Sequence, residues 1–170
     1  MNLRDRLHHD TPAMRRYQMR EKLLSIGDDS WIEDEAGDNV FKVNGKAARI
    51  RQTFILEDPN GGEVAKIQER KLSVRDKMVI ECGDTSATVH KALIGVRDRY
   101  NIDVDNGPDL KAHGNFVDHE YEIEQDGDTI ATISKKWFRI RDTYGIEISP
   151  GQNDALLIAV TVCVDEMARG

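Results

Sequence analysis

Hydrophobic and polar residues alternate with a period of two along much of this chain. Val74, Asp76, Met78 and Ile80 fall on one face of an extended segment, opposite Ser73, Arg75, Lys77 and Val79. Ile140, Tyr144 and Ile146 share a face opposite Arg139, Arg141 and Thr143. Segments upstream alternate as well, pairing Ala65 with Ile67, Ala87 with Val89, and Ala131 with Ile133. Each such stretch predicts a strand with one buried face. Turn-forming residues punctuate them at Asp34–Asp38, Asp58–Gly62, Cys82–Asp84, Asp105–Pro108 and Gln125–Asp128.

The pattern repeats. Arg75-Asp76-Lys77-Met78-Val79-Ile80 returns as Arg97-Asp98-Arg99-Tyr100-Asn101-Ile102 and as Arg141-Asp142-Thr143-Tyr144-Gly145-Ile146. Arg51-Gln52-Thr53-Phe54-Ile55-Leu56 is a looser copy, and weaker ones begin at Asp28 and Asp118. The copies start at 28, 51, 75, 97, 118 and 141, and each unit reads as two strands. Twelve strands with one apolar face each are best served by closure, which removes exposed sheet edges.

A closed sheet that large has a lumen to fill. After Ser149-Pro150-Gly151, and with Asn153 or Asp154 as N-cap, Ala155–Val164 is apolar throughout except for Thr161. A helix apolar all round is buried or crosses a membrane, and this run is about half the ~20 residues a crossing needs. It predicts a central helix over about 154–167, although its β-branched residues also suit a thirteenth strand. The expected fold is mainly β: a closed twelve-stranded antiparallel barrel of six hairpins around a hydrophobic C-terminal helix. A flexible basic arm over 1–16 is expected to precede a single domain over 17–170.

Composition narrows the function. The 170 residues include 32% charged and 39% hydrophobic residues, which suits one globular domain. A net charge of -7 excludes a general nucleic-acid binder. Two cysteines, Cys82 and Cys163, give no disulfide framework and imply a reducing compartment. The first twenty residues carry Arg4, Arg6, Arg15, Arg16 and Arg20 without an apolar core, unlike a secretory signal. A cytoplasmic protein, peripheral to the membrane if it meets one and without a transmembrane segment, is expected.

Several segments, in order, resemble the LURP-one-related family: Tyr17–Trp31, Lys135–Gly145, and Pro150-Gly151-Gln152-Asn153-Asp154 before the last helix. The similarity spans roughly residues 15–167. The resemblance implies kinship with the tubby C-terminal domain and the phospholipid scramblases, and hence a twelve-stranded barrel around a hydrophobic helix. Tubby domains bind phosphoinositide headgroups through basic side chains. No binding residue transfers by motif, and fold alone does not specify function.

Charge is unevenly spread. Residues 101–128 hold nine acids against Lys111 alone, whereas Lys135, Lys136, Arg139 and Arg141 stand together without an acid, and Arg70, Lys71 and Arg75 lie in a second basic stretch. These seven are the candidate ligand-binding residues. With Trp137 and Phe138 beside them, they suit an anionic phospholipid headgroup or another phosphorylated small ligand, the aromatics touching acyl chains. Solvated ion pairs on an outer face are the plainer reading. The period of two also turns Asp76, Asp98 and Asp142 towards the apolar face, where each must be paired or bind a cation. His113 and His119 lack zinc-ligand spacing and read as surface residues. No nucleophile elbow, P-loop or dinucleotide motif occurs, so neither enzyme activity, cofactor nor metal is expected. Three functions follow: a non-enzymatic lipid- or phosphate-binding module, a protein-interaction or stress-related scaffold, and a scramblase-like membrane-associated protein.

Overall fold

The computed structural model describes residues 13–20, 29–44, 53–70, 77–92, 99–138 and 142–169. Twelve strands follow one another: β1 (Arg15–Arg20), β2 (Asp29–Asp34), β3 (Asn39–Asn44), β4 (Thr53–Glu57), β5 (Glu63–Arg70), β6 (Lys77–Cys82), β7 (Thr85–Lys91), β8 (Arg99–Val104), β9 (Leu110–Asn115), β10 (Glu120–Gln125), β11 (Asp128–Ser134) and β12 (Thr143–Ile148). Each pairs antiparallel with its sequence neighbours, and β1 closes the ring on β12, matching Arg15 with Ile148 and Arg20 with Thr143. Closure leaves no edge to protect. The repeated phrase marks the even-numbered strands, which begin one or two residues after each copy at 28, 51, 75, 97, 118 and 141.

Alternation decides which side chains face inward. Leu56, Ala65, Ile67, Met78, Ile80, Ala87, Val89, Ile102, Ile123, Ile133, Tyr144 and Ile146 are all buried, as the period of two requires. Tight turns at Gly37, Gly61, Gly83 and Gly127 join the hairpins, each glycine in the left-handed region that the turn demands. Asx contacts reinforce two of them: Asp34 Oδ1 accepts from Ala36 and Asp38, and Asp58 Oδ1 from Asn60 and Gly62.

The lumen is filled by α1 (Asp154–Arg169), buried continuously from Leu156 to Asp165. Asn153 is its N-cap, Oδ1 accepting from the Leu156 amide at 3.1 Å. Thr161 satisfies its hydroxyl by donating to the Leu157 carbonyl at 2.9 Å. Ten consecutive buried positions settle the choice between helix and thirteenth strand, because a strand would bury only alternate ones.

Two expectations change. Strand β1 begins at Arg15, two residues before the expected domain start at 17, because Arg15 and Arg16 pair with β12 and belong to the barrel wall. Asp142 does not face inward: it is exposed, with φ +59, so the alternation starts only at Thr143 and does not reach back to it. Asp76 and Asp98 lie outside the described residues.

Candidate functional site

The two sets of strand connections differ in charge. The hairpin connections on the side where α1 begins carry Glu35, Asp38, Asp58, Asp84, Asp105, Asp109 and Asp126, and no Lys or Arg. The other sequences that connect successive strands, 21–28, 45–52, 71–76, 93–98, 116–119 and 135–142, hold eleven Lys and Arg against six Asp and Glu. Of the candidate binding residues, Arg70 ends β5 and is exposed, while Lys135 is half-buried and Lys136 exposed just after β11. Both groups stand at the same rim, but β5 and β11 are six places apart in the ring of twelve, on opposite sides of it. Lys71, Arg75, Arg139 and Arg141 lie outside the described residues.

The start of the β11–β12 connection is pinned to the wall. Glu120 on β10 accepts from the Ser134 hydroxyl at 2.8 Å and from the Lys135 amide at 3.0 Å, and the Lys136 amide donates to Ser134 Oγ at 3.1 Å. Trp137 and Phe138 then fold back over Gly145 of β12, and the Arg16 guanidinium lies 4.7 Å from the Trp137 ring centroid. A Cβ at position 145 would strike both rings, so glycine here makes room for the aromatics. The two side chains expected to meet acyl chains are half-buried against the barrel instead.

Beneath this rim lies a buried polar group that the sequence did not announce. Asp165, in the last turns of α1, is 3% exposed; its Oδ2 accepts from the Tyr144 hydroxyl, and its Oδ1 lies 3.5 Å from His119 Nε2. His119 takes φ +52 in the β9–β10 turn, which turns its ring into the barrel, stacked on Tyr144 at 4.2 Å. This corrects its reading as a surface histidine. His119 Nδ1 has no hydrogen-bond partner among the described residues. Burial, with the Asp165 carboxylate close by, pushes the Tyr144 and Tyr121 phenols well above the usual tyrosine range. At the other end of α1, Asp154 takes both nitrogens of a bidentate Arg15, Nε at 2.6 Å, and accepts from the Tyr17 hydroxyl as well.

A third group spans strands β9 and β10 on the outer face. His113 stands opposite Glu122 in register, Glu124 follows two positions on, and His113 Nε2 is 2.7 Å from Glu124 Oε1. His113 is thus a surface residue, as read, but one bonded to Glu124 with Glu122 close by.

Comparison with known proteins follows from this architecture. The family model described as LURP-one-related matches residues 15–165, from the first residue of β1 to Asp165 of α1. This chain belongs to the LURP-one-related family. No curated protein matches the LURP-one-related chain in sequence. Among solved structures, an Arabidopsis thaliana protein determined by X-ray crystallography is similar in fold: TM-score 0.60, 16% identity, 93% of each chain covered. At that identity the likeness speaks for the barrel alone. The LURP-one-related match ends at Asp165, so it takes in both aspartates that hold α1.

Proposed function

We propose that this LURP-one-related protein is a non-enzymatic binding module. Its ligand is an anionic phospholipid headgroup or another phosphorylated small ligand, met at the rim where α1 ends. One observation carries the reading: every hairpin connection on the far side lacks a base, while the near-side connecting sequences are rich in them. A field with that polarity turns the near rim towards an anion before contact and the far end away from it. Arg70, Lys71, Arg75, Lys135, Lys136, Arg139 and Arg141 are the residues assigned to the ligand, and the protein is assigned to the cytoplasm and the membrane periphery. No helix among the described residues is long and apolar enough to cross a membrane. The non-enzymatic part draws on the thiols: Cys82 and Cys163 are both buried, and burial raises both pKa values, which suppresses the thiolate.

The test is co-sedimentation with vesicles of phosphatidylcholine alone and with one quarter phosphatidylserine, alongside competition by inorganic phosphate or soluble inositol phosphates. Binding only to anionic vesicles, lost when Lys135, Lys136, Arg139 and Arg141 become Ala, is the expected result. Equal binding to both vesicles, or binding that survives those substitutions, contradicts it. Displacement by the soluble anion separates a headgroup pocket from simple surface attraction.

A further inference from the structure

Glu122 and Glu124 sit two positions apart on β10, so their side chains leave the same outer face. Directly opposite on β9, His113 points the same way, because the register pairs it with Glu122. The three offer one imidazole nitrogen and two carboxylate oxygens, all within 4.8 Å of one another. The sheet beneath them is part of the packed barrel: Ala112, Tyr121 and Ile123, their neighbours along the two strands, are buried. Thr129 of β11 donates to Glu122 Oε2 at 3.3 Å and helps orient that carboxylate.

The charge of this group is unbalanced. Among the described residues, neither Glu122 nor Glu124 has a Lys or Arg within ion-pair distance, although Lys111 stands opposite Glu124 in register. His113 is the one cation-capable partner, 2.7 Å from Glu124, and it has a single charge to offer two carboxylates. Glu120, next along the same face, differs: its carboxylate is taken by Ser134 and the Lys135 amide. The candidate therefore stops at three groups.

We propose that the outer face of the β9–β10 hairpin binds one divalent transition-metal cation through His113, Glu122 and Glu124. An imidazole with two carboxylates suits Zn²⁺ or a neighbouring first-row ion better than Ca²⁺ or Mg²⁺, which prefer oxygen throughout. Ligand distances of about 2.0–2.2 Å around Zn²⁺ bring tetrahedral donors to roughly 3.4 Å apart. Rotation of these part-exposed side chains closes the group that far without moving the strands. Water completes the coordination from the solvent side.

Calorimetric titration of the chelator-treated full chain with ZnCl2 at neutral pH tests this. One equivalent is expected to bind, with affinity reduced at least about tenfold in His113→Gln and again in Glu124→Gln. Urea midpoints verify that both variants fold; both positions are on the outer face, so folding is expected to persist. In the same sample, Zn²⁺ is expected to shift the NMR signals of the His113 ring and leave those of buried His119 in place. Absence of binding up to millimolar zinc overturns the proposal. So does zinc binding unchanged in both variants, which would locate it elsewhere, for example at His8 and His9. Saturation by Ca²⁺ that zinc does not displace overturns the assigned class of metal.

Discussion

Helix α1 is held at each end by an aspartate, and the two are held in opposite ways. Asp154, at the N-terminal end, meets a bidentate guanidinium and a phenol while remaining partly open to water. Asp165, at the C-terminal end, is almost wholly buried, accepts from Tyr144, and among the described residues has only His119 within ion-pair distance, with Arg169 a turn further along the helix. The first is a favourable arrangement twice over, because a carboxylate also suits the positive end of the helix dipole. The second works against the dipole and against desolvation. Asp165, Tyr144 and His119 bring α1, β12 and the β9–β10 turn into contact at the C-terminal end of the helix.

Before the two ends can be compared, the helix must be what fills the barrel, and the largest predicted effect tests that. Leu157→Asp places a charge at a position 2% exposed in the apolar stretch of α1, which costs several kcal/mol and is expected to abolish cooperative folding by circular dichroism. Alkali attacks both ends. Tyr17 is pushed up to about 12 by burial and by Asp154, and Tyr121 and Tyr144 are raised well above the ordinary tyrosine value by burial. Below the ordinary tyrosine value near 10, folded and unfolded chains both keep these protons and stability is level. Above it the unfolded chain releases protons that the folded chain retains, so the urea midpoint is expected to fall steadily from about pH 10 towards 12.

The comparison sharpens with conservative variants. Asp154→Asn leaves Arg15 without its counterion and is expected to cost about 1–2 kcal/mol in urea unfolding. Asp165→Asn retains an acceptor for Tyr144 but removes the buried charge, and is expected to change stability by less than about 1 kcal/mol in either direction. A larger loss at 165 than at 154 would mean that the C-terminal carboxylate is paired better than its neighbours suggest. Smallest is Gly145→Ala. Its methyl meets the Trp137 and Phe138 rings, which can swing outward, so a loss of about 1 kcal/mol is expected, together with red-shifted tryptophan fluorescence.

The strands, turns and helix were legible because each rests on local pattern. Period-two alternation, Asx and Gly turns, and an all-apolar run carry their own signatures, and even the weak copies at Asp28 and Asp118 precede real strands. What escaped rests on backbone detail or on register. Asp142 and His119 both adopt positive φ, which alternation cannot foresee, so one turned out exposed and the other buried. The approach of His113 to Glu122 and Glu124 depends on which residues of β9 and β10 face each other. A hairpin register read from the Asn115–Glu120 turn would have found it. Basic residues close together in sequence were legible as a candidate site, but Arg70 and Lys135 stand across the ring from one another because the intervening strands are counted only in the folded barrel.

The claim on which the rest stands is that α1 lies inside the sheet. Thiol labelling of native Cys82→Ser protein reports on it directly, since Cys163 is fully buried in the middle of the helix and its thiol is pushed up by burial. The predicted result is no modification at neutral pH until denaturant unfolds the chain, and then one label per molecule. Rapid labelling of the folded protein would place the helix in contact with solvent and contradict the account.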